Sequence, residues 1–114
     1  MTFALYGGSD DCVLQSMALG AHGVISVAAN LIPDQMHAMV MDWIRGDPKA
    51  CREKQFRWMP LIRRLFSEVS PIPVKAALSM MGRIEDTLRL PLVPLSESAR
   101  EALRREMKRM ELIQ

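Results

Sequence analysis

Two short apolar runs near the start of the chain, each ended by small or polar residues, predict a pair of β-strands. Phe3–Tyr6 is followed by a Gly-Gly break, and Val24–Val27 lies between glycine and asparagine, which is typical of a fully buried strand. The stretch between them predicts a helix that begins at Ser9 or Asp10 and ends at Gly20. The apolar face of this helix consists of Val13, Leu14, Met17 and Ala18. Two successive strand–loop–helix units favour βαβ wiring and a parallel sheet.

In the next part of the chain, apolar residues recur at the spacing of an α-helix. The second helix is predicted to have Asn30 as its cap and Pro33 in its first turn, and to end at Gly46. Asp47 is the predicted cap of a third helix over about residues 48–67. The apolar faces of these two helices are Met36, Met39, Val40, Trp43 and Ile44 in the second, and Trp58, Ile62, Leu65 and Phe66 in the third.

The last third of the chain is predicted to hold two more helices joined by a loop. A short helix over residues 73–81 closes at Gly82, residues 83–95 form an ordered loop with two prolines, and Ser96 caps the final helix. The buried stripe of the final helix is Ala99, Leu103, Met107 and Met110. Apart from this loop, everything after Asp47 is therefore predicted to be helical.

Composition and charge narrow the class of protein. The chain has 114 residues, 49% of them hydrophobic, which fits one globular domain. No apolar run reaches the roughly 18 residues that a membrane helix needs, so no membrane association is expected. A net charge of +2 and few aromatic residues argue against nucleic-acid binding. The spacing between Cys12 and Cys51 matches no cysteine motif. Both are therefore expected to be reduced thiols in a cytoplasmic protein.

Several residues of types that often carry catalysis have structural interpretations here. Asp10 and Asp11, at a helix start, are expected to be cap and dipole partners rather than an acid–base pair. His22 and His37 have no acidic or thiol companions at ligand spacing, so no metal site is expected. Ser26 lacks the His–Asp pairing that a nucleophile needs. The ten methionines follow helix faces and are expected in the core.

Four segments carry a family resemblance. They are GGSDD at residues 7–11, MALGAHGVISVAAN at 17–30, SPIPVKAAL at 70–78 and LRLPLVPLSESAR at 88–100. In this order and spacing, the chain resembles the C-terminal part of the dihydrodipicolinate synthase family over essentially its whole length. The wider family, which includes N-acetylneuraminate lyase, shares the strand motifs and matches the tail less well.

The resemblance implies an α/β fold, namely the last two βα units of a TIM (β/α)8 barrel followed by a C-terminal α-helical region. Residues 1–46 would form strand–helix units seven and eight, and residues 47–114 would form the helical region. Because a barrel needs at least about 200 residues, the chain is expected to be a natural truncation, a fragment or one half of a split enzyme.

The resemblance also implies a lyase that condenses pyruvate with aspartate 4-semialdehyde in lysine (diaminopimelate) biosynthesis, with pyruvate held as a Schiff base on a lysine. In a barrel enzyme such a lysine lies at the C-terminal end of a strand, and no lysine here follows either predicted strand. The four lysines are Lys49, Lys54, Lys75 and Lys108. We therefore expect no catalytic side chain and no cofactor in this chain, and we interpret Lys75 as structural.

By resemblance, the chain supplies the far wall of the pyruvate site. Gly8 and Ile25 match the positions at which main-chain atoms of the family approach pyruvate. Gly8 would allow a close approach because it has no Cβ, and Ile25 would act through its carbonyl. From the residues alone, Ile25 is more simply part of a strand core. The family forms tetramers, so a homo-oligomer is expected, with Leu19 at the end of the first helix as a contact.

Two other functions stay open. A non-catalytic helical interaction module would keep the family's sequence and act by association. A fragment of a related pyruvate aldolase such as N-acetylneuraminate lyase would differ only in its second substrate. The family's residues for that substrate belong to the N-terminal part of its members, so this sequence does not choose between the aldolases.

Overall fold

A computed structural model describes residues 2–114 as a short parallel strand pair followed by helices. The strands are β1 (Tyr6–Gly7) and β2 (Gly23–Val24), and the helices are α1 (Val13–Ala18), α2 (Pro33–Ile44), α3 (Pro48–Leu65), α4 (Ile72–Met80) and α5 (Glu97–Arg109). One turn of 3-10 helix precedes α1 (Asp10–Cys12) and another precedes α2 (Ala28–Asn30). The chain forms two compact units that divide inside α3, between Met59 and Pro60. The division into barrel and helical parts between residues 46 and 47 stays a prediction.

The first compact unit, which ends at Met59, is built on the strand pair. β1 and β2 are parallel, with Tyr6 opposite Gly23 and Gly7 opposite Val24. The connection between them contains α1, which packs against both strands and against α2. A helix that joins two parallel neighbours confirms the predicted βαβ wiring.

Both strands are shorter than the sequence predicts. The prediction that Phe3–Tyr6 and Val24–Val27 are strands throughout is wrong, and so is the prediction that they are fully buried. Phe3 is 75% exposed and Ile25 is 72% exposed. A parallel strand is buried only where neighbouring elements cover its faces and pair with its backbone. Among the described residues, each strand pairs with only one other strand.

The boundaries of α2 and α3 confirm most of the predicted signals. Pro33 is the first residue of α2, and Gly46 follows its end with a φ of 85°. Asp47 caps α3, because its carboxylate accepts a hydrogen bond from the Ala50 amide at 3.0 Å. Pro60 lies inside α3, where it removes one helical hydrogen bond.

Three details of the first unit differ from the prediction. Asn30 does not cap α2: Ile32 holds the cap position, and the Asn30 side chain donates to the Val27 carbonyl at 2.9 Å. Ala18 and Ile44 are exposed, although the period placed both on apolar faces. The 3-10 turns before α1 and α2 have three residues per turn instead of the 3.6 of an α-helix. This difference changes which residues of the following helix face the core.

The second compact unit, which begins at Pro60, contains the end of α3 together with α4 and α5, and the latter two pack against each other. Gly82 follows α4 with a φ of 71°, as predicted. Residues 83–95 form the predicted loop. An ion pair of 2.5 Å between Asp86 and Arg100 ties this loop to α5.

The start of α5 agrees with the sequence, and so do two of the four residues of its predicted buried stripe, since Ala99 and Met110 are only half-buried. Ser96 is its cap, and the hydroxyl accepts a hydrogen bond from the Ala99 amide at 3.4 Å. Leu103 and Met107 are fully buried. The assignment of Phe66 to the apolar face of α3 is wrong, because this residue follows the end of the helix and is 45% exposed.

Candidate functional site

The two residues assigned by resemblance to the pyruvate site lie directly beyond the paired strand residues. Gly7 is opposite Val24, so Gly8 and Ile25 follow on parallel strands at the same edge. The Ile25 amide donates to the Gly7 carbonyl at 2.8 Å, which extends the ladder by one bond. The structure therefore brings the two main-chain segments together at the carboxyl end of the strand pair, the end at which barrel enzymes carry their active sites.

Gly8 and Ile25 are both exposed at this edge. A Cβ at Gly8 would meet no atom within 4 Å. Gly8 is not among the glycines with a positive φ, which in residues 2–114 are Gly20, Gly46 and Gly82. Packing within the described residues therefore does not require glycine at this position. The simpler interpretation of Ile25 as strand core is wrong for this chain, because 72% of the residue is exposed.

Gly7 is the glycine whose surroundings leave the least room for a side chain. A Cβ at this position would lie 3.0 Å from Oγ and 3.2 Å from Cβ of Ser16, which belongs to α1. The missing side chain lets α1 cross close to β1. A Gly-Gly pair in the sequence does not indicate which of the two glycines faces the helix.

Asp10 connects the loops that follow the two strands. It is 1% exposed, and its Oδ2 accepts hydrogen bonds from the Val27 and Ala28 amides, each at 3.0 Å. The prediction that Asp10 caps its own helix is wrong, because its side chain binds the turn after β2 instead. Asp11 is exposed and accepts a hydrogen bond of 2.5 Å from the Ser9 hydroxyl. An acidic residue after a glycine turn is also typical of a helix cap. The sequence therefore gives no signal that distinguishes a cap from a side chain that binds the turn after β2.

Gln55 of α3 holds Asp10 from the main-chain side. Its Nε2 donates to the Asp10 carbonyl at 2.9 Å, and its Oε1 accepts from the Leu14 amide at 3.2 Å. Gln55 is 3% exposed and uses both ends of its amide, as buried polar side chains usually do. Oδ1 of Asp10, by contrast, is buried without a hydrogen-bond partner among residues 2–114.

None of the four lysines directly follows either strand along the chain, and all four lie on helices. Lys75 is in α4, and its ammonium group donates to the carbonyl of Thr87. Lys54 forms an ion pair of 2.5 Å with Asp42. Lys49 and Lys108 lie on α3 and α5 and are exposed. The bond from Lys75 to the loop backbone supports its interpretation as a structural residue.

Other candidate side chains have local partners. The Ser26 hydroxyl accepts from the Ala29 amide at 2.9 Å, and Nδ1 of His22 accepts from the Leu5 amide at 3.3 Å. Burial, together with the negative charge of Asp42, raises the pKa of the Cys51 thiol above its ordinary value, so this thiol is protonated at neutral pH. Residues 2–114 hold no cluster of three or more His, Cys, Asp or Glu side chains that suits a metal ion.

An open groove of about 290 Å³ lies between β2 and α2. Its walls are mainly apolar and include Tyr6, Val24 and Met36, with Ser26 and His37 as polar members. Neither Gly8 nor Ile25 lines it. The groove is therefore separate from the edge at which those two residues meet.

None of the described helices is both long enough and apolar enough to cross a lipid bilayer.

Comparison with known proteins matches nearly the whole chain to one protein family. The sequence model of the Dihydrodipicolinate synthetase family matches residues 1–110. A curated 4-hydroxy-tetrahydrodipicolinate synthase from Maridesulfovibrio salexigens is 47% identical over 111 residues, which are 97% of this chain and 38% of that protein.

Solved structures agree with the sequence comparison. Dihydrodipicolinate synthase from Thermotoga maritima matches with a TM-score of 0.95 and 43% identity, over 97% of this chain and 38% of that chain. The chloride inhibited dihydrodipicolinate synthase from Acinetobacter baumannii, complexed with pyruvate, matches with a TM-score of 0.93 and 40% identity, over the same shares of the two chains. The chain thus spans about 38% of the length of the relatives that it matches.

Proposed function

Because the chain belongs to the dihydrodipicolinate synthetase family, we propose that it forms the C-terminal portion of a Schiff-base lyase. In this proposal the lyase condenses pyruvate with aspartate 4-semialdehyde in lysine biosynthesis in the cytoplasm. The observation that carries the proposal is the meeting of the Gly8 and Ile25 main chains at the carboxyl edge of a parallel strand pair. This chain supplies pocket wall and scaffold, and the remaining portion of the lyase supplies the lysine that forms the Schiff base.

Within the lyase, β1–α1 and β2–α2 are the last two βα units of the barrel, residues 1–46. Residues 47–114 are the helical region that follows. The exposed apolar side chains of Phe3, Leu5 and Ile25 support this placement, since a parallel strand pair needs covering on both faces and edges.

The pyruvate contact is made by backbone rather than by side chains. The Ile25 N–H is bonded to the Gly7 carbonyl at 2.8 Å, so the contact of Ile25 with pyruvate is assigned to its carbonyl. The open space around Gly8 allows the ligand to approach the main chain without meeting a Cβ. The pyruvate complex of the Acinetobacter baumannii relative, 40% identical to this chain, supports pyruvate as the ligand.

The lyase is a homo-oligomer in this proposal, a tetramer as in the family that the sequence resembles. Leu19, directly after α1, is 84% exposed, which suits a contact between subunits.

The test joins this chain to the N-terminal portion of the Maridesulfovibrio salexigens relative and compares the chimera with the chain alone. Each is treated with pyruvate and borohydride, and intact mass reads the trapped adduct. We expect one adduct on the N-terminal portion of the chimera, turnover with aspartate 4-semialdehyde, and no adduct on the chain alone.

Three results would argue against parts of this proposal. An adduct on any of the four lysines of this chain would contradict the assignment of roles. A folded chimera that traps no pyruvate would contradict the function. Trapping without turnover of aspartate 4-semialdehyde would favour a related pyruvate aldolase such as N-acetylneuraminate lyase.

A further inference from the structure

We propose that Asp10 is a positioning residue for the pyruvate site, which fixes the Ile25 main chain by binding the turn that follows it. The inference rests on the proposed function and extends it to a side chain that does not itself contact the substrate.

The carboxylate of Asp10 joins the two segments that form the site. Asp10 lies two residues after Gly8, and the amides that it binds, those of Val27 and Ala28, lie two and three residues after Ile25. Both hydrogen bonds are 3.0 Å long and end on the same oxygen, Oδ2. Bonds from amides to an ionised carboxylate are stronger than bonds between neutral groups, so this link resists motion of the turn.

Asp10 is itself held in place. The side chain is 1% exposed, and the backbone carbonyl accepts the bond from Gln55, whose other end binds the Leu14 amide. The carboxylate therefore projects from a fixed main-chain position in the 3-10 turn that precedes α1. A positioning group transmits its geometry only when its own rotamer and backbone are restrained in this way.

Ile25 lies between two anchors, and Asp10 supplies the second of them. On the N-terminal side of the Ile25 carbonyl, the Ile25 amide donates a hydrogen bond to the Gly7 carbonyl. After the Ile25 carbonyl, the turn is held by the Asp10 carboxylate and by the short bond between Ser26 and Ala29. The Ser26 bond is internal to the turn, so it does not fix the turn relative to β1. Asp10 alone makes that connection through a side chain among the hydrogen bonds of residues 2–114.

The chemistry of the link also points to function. One carboxylate oxygen, Oδ1, is buried without a hydrogen-bond partner among residues 2–114, which costs stability. A neutral hydroxyl or amide could accept a bond from the turn without burying a charge. A costly ionisable group is typical of a position whose geometry matters more than its stability.

The first experiment measures amide hydrogen exchange on the full 114-residue chain. In Asp10→Ala, the Val27 and Ala28 amides are expected to exchange at least about tenfold faster, because both lose their charge-assisted acceptor. Asp10→Asn keeps one acceptor oxygen and is expected to restore part of the protection. Asp11→Ala removes the neighbouring exposed carboxylate and is the matched control, with exchange at Val27 and Ala28 unchanged. Unchanged exchange in Asp10→Ala would overturn the inference.

The second experiment uses the chimera and separates positioning from stability. Asp10→Ala is expected to raise KM for pyruvate by about tenfold or more, and Asp10→Asn by a smaller factor, while Asp11→Ala behaves as the parent. Met39→Ala, a buried core change, serves as a stability control and is expected to lower the melting temperature without changing KM for pyruvate.

The outcomes for the two proposals are distinct. If the parent chimera is active and Asp10→Ala keeps its KM for pyruvate, the positioning role is wrong and the proposed function stands. If Asp10→Ala does not fold, Asp10→Asn carries the test by the same two measurements. If the parent chimera traps no pyruvate, the proposed function fails, and with it the role of Asp10 towards substrate.

Discussion

The strand pair and the last helix satisfy their backbones in different ways. β1 and β2 share a ladder only two residues long and leave Phe3 and Ile25 largely exposed. α5 forms its backbone hydrogen bonds locally, within its 13 residues and the residues that adjoin them, begins at a side-chain cap on Ser96, and buries Leu103 completely. A helix needs a partner only for one face, whereas a parallel strand needs partners for both edges and both faces.

This difference bears on where function resides. The proposed contacts with pyruvate lie on the incompletely covered strand pair, and the well-packed α5 carries none of them. In the proposed function, chemistry at the strand edge depends on further protein, and the chain spans about 38% of the length of the relatives that it matches. Within the first compact unit, α3 helps to hold the strand edge in place, because Gln55 binds the Asp10 carbonyl.

The largest effect is expected inside α5. Leu103→Ala should lower the free energy of unfolding by about 2–5 kcal/mol, because it empties space at a fully buried position. Urea denaturation of the chain measures the change. The matched control is Leu90→Ala, at a leucine that is 88% exposed, where the change should stay within about 0.5 kcal/mol. Equal losses at the two leucines would break the comparison, since burial would then not explain the stability of α5.

A smaller effect is expected at the strand pair. Gly7→Val should lower the free energy of unfolding by about 1–3 kcal/mol, because the new side chain meets Ser16 of α1. Gly8→Val, one residue on, has open space and should change it by no more than about 0.5 kcal/mol. In the chimera, the order of the two variants should reverse for pyruvate binding. Gly8→Val should weaken pyruvate binding by more than its effect on stability explains. Urea denaturation and pyruvate KM are the two measurements, and a Gly8→Val chimera with normal KM would remove Gly8 from the site.

The smallest effect is expected at the cap of α5. Ser96→Ala should lower the free energy of unfolding by about 1 kcal/mol, because the Ala99 amide loses its acceptor and the Glu68 carboxylate loses a donor. Ser98→Ala, at an exposed position in the first turn of the same helix, is the control and should be neutral or slightly stabilising. Thermal melting of both variants makes the comparison. A neutral Ser96→Ala would indicate that the helix is held by its buried stripe alone.

The residues that were predicted well share a local cause. Asp47, Ser96 and Pro33 act on amides or dihedral angles within one helical turn, so short sequence windows contain the whole signal. The residues that were predicted wrongly depend on distant segments. Asp10 matches the pattern of a helix cap, yet it binds amides 17 and 18 positions away. Ile25 matches the pattern of a strand core, yet 72% of it is exposed, since no element among the described residues covers it.

The sequence by itself determined the helices of this protein, the βαβ order of its first part and its family, because hydrophobic period, caps and motifs are properties of short segments. Only the tertiary structure decided that Gly7 rather than Gly8 packs against α1, and that Asp10 links the turns after both strands. These choices depend on which atoms of distant segments come within contact distance, and no pattern within one segment encodes that distance.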